Sequence, residues 1–245
     1  MNNQLADRET SVADLYQDKK VALEYEHKRF FFSWQRLLHW KQVNTVQRLI
    51  HEYNFEGVLE LAPGPARLAK DIEGISSGYM VEYSQEMLEV VRNILHENGK
   101  DSMWNIVHGN AFNLQDLSEL QEKFSMIYSF RFIRHFEVQD RSRLYGHIHD
   151  RLAKNGILIF DVVNKVIRDK LDARSGPKTE DRLPVFDATY TVENFKQEMQ
   201  ENVFDVLDMI PVLGNFKWQS WLSYKLDDVI PGISSRIQKE SHASE

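Results

Sequence analysis

Two carboxylates with a small-residue turn between them are the first residues in this chain of 245 that could do chemistry together. Glu60 stands near the end of the apolar run Val58-Leu59-Glu60-Leu61, and Ala62-Pro63-Gly64-Pro65-Ala66 follows. Glu82 closes a second run, Gly78-Tyr79-Met80-Val81-Glu82, about 20 residues past the turn, a distance at which a carboxylate can meet ribose hydroxyls. A carboxylate accepts from two adjacent hydroxyls at once, so Glu82 suits a sugar diol. Gly64 lets a ligand approach the backbone, because a Cβ there would intrude. A second group lies in Phe130-Arg131-Phe132-Ile133-Arg134-His135-Phe136. Histidine is the side chain that ordinarily titrates nearest neutrality, so His135 could act as a general base, or it could be a surface residue at a helix start. Arg131 or Arg134 could hold an acidic molecule.

These residues need elements to position them, and the pattern supplies strands alternating with helices. Val58 to Leu61 reads as a buried strand, and Arg67 to Glu73 as the helix after its turn. Ser77 to Glu82 reads as strand two. Ser84 caps a helix from Gln85 to Asn98 with Met87, Leu88, Val91 and Leu95 inward, and Asn98-Gly99 ends it. Met103 to Val107 is strand three, Phe124 to Ser129 strand four, Asp140 to Leu152 a helix, Asn155-Gly156 a turn, and Ile157 to Val163 strand five with Asp161 late in it. Arg168 to Leu183 reads as a loop that orders on binding. Thr191 caps a helix to about Asn202, and Val203 to Pro211 reads as strand six. Val212 to about Ile233 is aromatic-rich and supplies either a seventh strand or a helical cap. Upstream, Ser11 to about Lys28 has a helical pattern. Ser33 caps a second helix to about Tyr53, with Trp34, Leu37, Leu38, Val43, Val46, Leu49 and Ile50 inward. The expectation is an α/β fold, a mostly parallel twisted sheet with helices on both faces, under an N-terminal helical lid. By residue number it divides into 1–10, a mobile N-terminus; 11–53, the lid; 54–233, the sheet domain with a C-terminal cap; and 234–245, a loose tail.

In this order the segments resemble a Rossmann-like class I S-adenosylmethionine-dependent methyltransferase. The acid and turn at residues 60–66, Val81-Glu82-Tyr83-Ser84-Gln85-Glu86-Met87-Leu88, His108-Gly109-Asn110-Ala111-Phe112, the strand at Phe124 to Phe130 and the segment Leu152 to Asp161 all carry the resemblance, across about residues 10 to 210. Ala62 and Ala66 stand where two further glycines are expected. The resemblance implies S-adenosylmethionine as cofactor and S-adenosylhomocysteine as product. It implies a cofactor site of Glu60, Ala62, Gly64, Glu82, Tyr83, Met87, Asn110, Ala111 and Ser129, with Tyr25 and Arg29 as the lid. Glu82 would take the ribose, Tyr83 and Met87 would flank the adenine, and Asn110 would accept from the adenine amino group in place of the usual acid. Phe112 would lie against adenine or pack under its turn. An Arg29 guanidinium suits the methionine carboxylate. Arg131 and His135 would face the transferable methyl.

Composition bounds the partners. A net charge of -7 argues against a nucleic-acid backbone as the main substrate. With no cysteine, a zinc–thiolate site and cysteine-dependent cytosine chemistry are excluded, and no metal is expected. No run is apolar and long enough to span a bilayer, and the start has no secretion signal, so a cytoplasmic protein is expected, as a monomer or homodimer. Methyl transfer from a sulfonium is an in-line displacement that asks the protein mainly to position the acceptor. The aromatic-rich ends suggest a small-molecule acceptor, planar or carrier-bound, methylated on O or N. Two other readings stand beside this one. One is a protein that binds the cofactor without catalysis. The other is a nicotinamide-dependent oxidoreductase, which would want glycine near Ala62 and Arg67.

Overall fold

Short segments whose side chains alternate between two apolar layers build one parallel sheet. A computed structural model describes residues 33–53, 55, 57–175 and 186–212. Its strands β1 (Val58–Leu61), β2 (Gly78–Glu82), β3 (Trp104–His108), β4 (Phe124–Ser129) and β5 (Leu152–Phe160) lie in the order β3-β2-β1-β4-β5. Every neighbouring pair is parallel. Leu59, Leu61, Val81 and Ile127 face one layer, and Val58, Met80, Met126 and Tyr128 face the other. The second layer is closed by α1 (Ser33–Tyr53), through Val43, Val46 and Ile50, and by α2 (Gln85–Glu97), through Met87, Val91 and Leu95. The first is closed by α3 (Val138–Arg151), through Leu144, Tyr145 and Ile148. Strand order therefore reverses between β1 and β4, and the carboxyl ends of these two strands border the crevice where such sheets hold ligands.

Helix ends follow local chemistry. The Ser84 hydroxyl accepts from the Met87 N–H at 3.2 Å, and Gly99, past the C-cap Asn98, takes φ +64°. Beyond β5 lie a two-residue parallel ladder of β6 (Val163–Asn164) with β7 (Thr189–Tyr190), α4 (Lys165–Ser175) and α5 (Val192–Glu201). The Thr191 hydroxyl caps α5 by accepting from the Asn194 N–H at 3.2 Å. A buried bidentate pair joins α3 to α5: Arg141 donates to both carboxylate oxygens of Glu198, at 2.8 and 2.6 Å, and the Tyr190 hydroxyl donates to the same carboxylate at 2.8 Å.

Four expectations are corrected. No regular helix follows the first turn. Ala66 is left-handed (φ +52°), and residues 64–71 form successive turns closed by bonds such as Ile72 N–H to Leu68 O, 3.1 Å. Asn155-Gly156 does not precede strand five but lies inside it: Phe124 pairs with Leu152 and Met126 with Ile157, so an excursion with Asn155 at φ +62° interrupts β5, and Asp161 falls just past its end. Residues 165–175 are helical, so the loop expected from Arg168 is at least in part α4; residues 176–185 lie outside the described residues. Val203 to Pro211 is not a strand. Val203 is left-handed (φ +65°), and the Phe204 N–H closes α5 onto Met199 O at 2.9 Å. Phe204 and Val206 still pack on the core while Val203 and Leu207 face solvent, so the apolar alternation is present without a paired strand among the described residues. The expected N-terminus, the helix at 11–28 with Tyr25 and Arg29, the segment at 213–233 and the tail also lie outside the described residues.

Candidate cofactor and acceptor site

The turn after β1 has an uncommon backbone. Ala62, Gly64 and Ala66 all take left-handed φ, at +52°, +56° and +52°, with prolines between them. Only glycine enters this region freely; an alanine there costs about 1 kcal/mol. The two alanines thus stand where glycine is expected because the backbone takes the glycine conformation there regardless. Ala62 is anchored by its N–H on Val81 O at 2.9 Å. A Cβ at Gly64 would meet nothing within 4 Å, so within the protein this glycine answers to φ and leaves the loop open on that side.

Glu82 ends β2 beneath this loop, buried. Its carboxylate accepts from the Ser84 N–H at 2.9 Å and from the N–H groups of Tyr83 and Gly64. Burial pushes the carboxyl up to about 7, against these donors. Glu60 lies deeper, on the face of the second layer, where it accepts from the Tyr128 hydroxyl at 2.9 Å. Burial pushes it up to about 7 as well, although Tyr128 and the Arg67 guanidinium favour the charged form. Arg67 Nη1 donates to His39 Nδ1 at 3.2 Å, and His39 Nε2 meets Asp71 Oδ2 at 2.8 Å. This chain ties α1 to the loop. Burial lowers the His39 pKa, ahead of the opposing Asp71 contact, consistent with Nδ1 acting as the acceptor. Tyr128, Arg67, His39 and Asp71 were not among the expected site residues. For Tyr128 a signal existed in the two-residue period of β4, which sets it on the face of Met126.

The remaining expected positions divide. Tyr83 is 46% exposed beside Glu82, and its carbonyl accepts from His108 Nε2 at 3.0 Å. Asn110 Oδ1 accepts from the Phe112 N–H at 2.9 Å, so the side chain caps the turn at Ala111–Asp116. Ser129 is buried and its hydroxyl donates to Leu61 O at 2.9 Å, locking the ends of β4 and β1 together. Ala111 and Phe112 are buried; the Phe112 ring stacks edge-on to Phe136 at 4.9 Å, so it packs under its turn. Met87 is 2% exposed and belongs to the core layer under α2, not to an adenine-flanking surface.

Past β4 the chemistry changes. Arg131 is left-handed (φ +61°), and its N–H donates to Asp161 Oδ1 at 2.6 Å. Arg134 reaches Asp161 Oδ2 at 3.0 Å and Asp187 Oδ1 at 3.1 Å, and Arg168 reaches Asp187 Oδ2 at 2.9 Å. His135 Nδ1 meets Phe186 O at 2.8 Å and Asp187 Oδ1 at 3.2 Å. Burial favours a neutral Asp187, but His135, Arg134 and Arg168 outweigh it and hold this carboxyl below its ordinary value.

A parallel sheet with a left-handed loop and a buried acid at its switch point defines a doubly wound α/β domain. The family model for a methyltransferase domain matches residues 58–156, and the fold is that of the class I S-adenosylmethionine-dependent methyltransferases. The chain is similar in fold to magnesium protoporphyrin IX methyltransferase from Synechocystis with bound S-adenosylhomocysteine (TM-score 0.61, 13% identity, 85% of this chain and 94% of that one). A Clostridium acetobutylicum S-adenosylmethionine-dependent methyltransferase gives TM-score 0.54 at 16% identity over 69% of this chain and 82% of that one. A putative O-methyltransferase from Nostoc punctiforme gives 0.54 at 18% over 71% and 53%. Among curated proteins none matches. No helix among the described residues is long and apolar enough to cross a membrane.

Proposed function

We propose that this chain transfers a methyl group from S-adenosylmethionine to a small-molecule acceptor. The observation that carries the reading is the Glu82 carboxylate, buried at the end of β2 and held by the N–H groups of Ser84, Tyr83 and Gly64. It fits a ribose diol, and the loop above it is open at Gly64. When bound, the cofactor supplies a methyl already activated on sulfur. The chain's own part is to fix the loop through Ala62 and Ser129, to seat the ribose on Glu82, and to bring an acceptor to the crevice between β1 and β4. Tyr83 has the exposure to cover an adenine edge, and Asn110 keeps its amide N–H₂ for the ring.

The test is a melting curve with saturating S-adenosylhomocysteine, with NAD in parallel. Ligand at 100 times its Kd stabilises the native state by about 2.7 kcal/mol. A shift with S-adenosylhomocysteine alone, lost in Glu82→Ala, is the expected result. A shift with NAD alone, or none with either, would sink the reading. Binding without transfer to any acceptor would leave a cofactor-binding protein without catalysis.

A further inference from the structure

We infer that His135 is the proton acceptor for a neutral hydroxyl, with Asp187 as its positioning residue, so that the acceptor is an alcohol or phenol. This rests on the methyl-transfer reading above and names the substrate class of that site.

The argument begins at Nδ1. It faces the carbonyl oxygen of Phe186 at 2.8 Å, and a carbonyl oxygen only accepts. The hydrogen of the neutral ring is therefore on Nδ1, and the lone pair is on Nε2. Among the described residues nothing hydrogen-bonds to Nε2, while the side chain as a whole is only 8% exposed. The ring is thus held in one tautomer with its basic nitrogen left for another molecule.

Asp187 completes the arrangement. Its Oδ1 lies 3.2 Å from Nδ1, on the side of the ring away from Nε2, so it orients the ring. Asp187 is itself oriented by Arg134 and Arg168. The segment that carries it is pinned by the Ala188 N–H on Arg134 O at 2.7 Å. The turn bearing His135 (Ile133–His135) is the next element after β4, whose carboxyl end borders the switch-point crevice. Between the two stands Arg131 in a left-handed conformation, held by Asp161, and such strain clusters where a site needs it.

The local charge selects the acceptor. Arg134 and Arg168 are paired with Asp161 and Asp187, so these guanidinium groups are taken up before a carboxylate arrives, and these carboxylates before an ammonium does. A neutral hydroxyl asks for neither and gains most from a base. In the step, the acceptor O–H bond breaks, its proton goes to Nε2 and its electron pair stays on oxygen. That oxygen bonds to the methyl carbon as the carbon–sulfur bond breaks with its pair left on sulfur. The imidazolium then returns its proton to water.

Measurements on the full chain and its variants test this. Imidazole ¹⁵N NMR with S-adenosylhomocysteine bound reports the tautomer: Nδ1–H is expected for His135, and Nε2–H would overturn the inference. Catechol, aniline and benzoate, offered with isotopically labelled S-adenosylmethionine, report the acceptor class. Methyl transfer to catechol is expected; transfer to aniline or benzoate instead, or to none, overturns the hydroxyl assignment. His135→Asn should retain S-adenosylhomocysteine binding and lose kcat by about 10²-fold or more. Asp187→Asn should lose kcat with little change in KM and displace the acid limb of the pH–rate profile, and Asp187→Glu should restore part of both. An unmoved profile would make Asp187 structural only. If Asp187→Asn does not fold, the tautomer in the unaltered chain and the His135→Asn rate still decide. Absence of S-adenosylhomocysteine binding in the unaltered chain defeats the methyl-transfer reading, whereas binding with the wrong tautomer defeats this inference alone.

Discussion

At the ends of β1 and β2, Glu60 and Glu82 are buried among backbone N–H groups and a phenol, and burial raises both carboxyls to about 7. At the ends of β4 and β5, Asp161 and Asp187 sit among Arg134, Arg168 and His135, and the Asp187 carboxyl is held low. One sheet end therefore carries Glu60 and Glu82 pushed up and Asp187 held low. The difference lies in who supplies the counter-groups. Beside β4 the protein brings its own cations. Beside β2 it brings neutral N–H donors and leaves acceptor capacity on Glu82 that a diol can fill. Environments that push acids apart in this way divide labour at a site: on the proposed reading, a ligand seat on one side and a fixed charge on the other.

Breaking the ion-paired side should have the largest effect. Arg134→Ala strips a cation from Asp161 and Asp187, whose side chains are 14% and 22% exposed. Loss of one partner of a largely buried pair costs about 3 kcal/mol, to be read from the urea midpoint. A loss below about 1 kcal/mol, the value of a surface pair, would erase the contrast.

The ligand seat should respond in affinity instead. Glu82→Ala should weaken S-adenosylhomocysteine by about 2 kcal/mol, near thirtyfold, the worth of charge-assisted hydrogen bonds to the ribose. The diol needs the ionised carboxyl, and that carboxyl titrates at about 7 in the free protein. Affinity should therefore rise about tenfold from pH 6 to pH 8, and Glu82→Gln should remove the dependence. Calorimetry at the two pH values would decide; a flat profile in the unaltered chain would mean that Glu82 does not hold the ribose.

Glu60 gives a smaller effect with a definite sign. Its folded pKa lies above the unfolded value of 4.5. Its contribution is fully present below about 4.5 and is lost as pH rises through about 7, at most about 1.4 kcal/mol per pH unit. Glu60→Gln keeps an acceptor for the Tyr128 hydroxyl and carries no titration. It should flatten that part of the stability profile, and become relatively more stable toward pH 8.

How much of this division could be read in the chain depends on distance along it. The two acids, the five strands and the caps at Ser84 and Thr191 are local signals, and all five strands formed, in the order that puts β1 beside β4. The partners were hidden. Tyr128 is 68 residues from Glu60, and Phe186, which fixes the His135 tautomer, is 51 residues from it; no periodicity links them. The failed elements have a different cause. Ala66, Asn155 and Val203 are non-glycine residues at left-handed φ, a conformation their types do not announce. Each one displaced a boundary or removed an element read from an apolar pattern.

The first-turn alanines allow the smallest and sharpest test of that point. Ala62 and Ala66 share a φ of +52°, so glycine relieves the same backbone strain at both, about 1 kcal/mol. They differ in surroundings: Ala66 is 0% exposed and Ala62 half-buried. At Ala66 the relief is offset by losing a buried methyl, worth about 0.8 kcal/mol, so Ala66→Gly should leave the urea midpoint nearly unchanged. At Ala62 less is lost, so Ala62→Gly should stabilise by about 0.5 kcal/mol. Equal destabilisation of both would mean that the flanking prolines, not the alanine backbone, set the loop. In that case alanine is the better residue at both positions, and the loop owes its shape to Pro63 and Pro65.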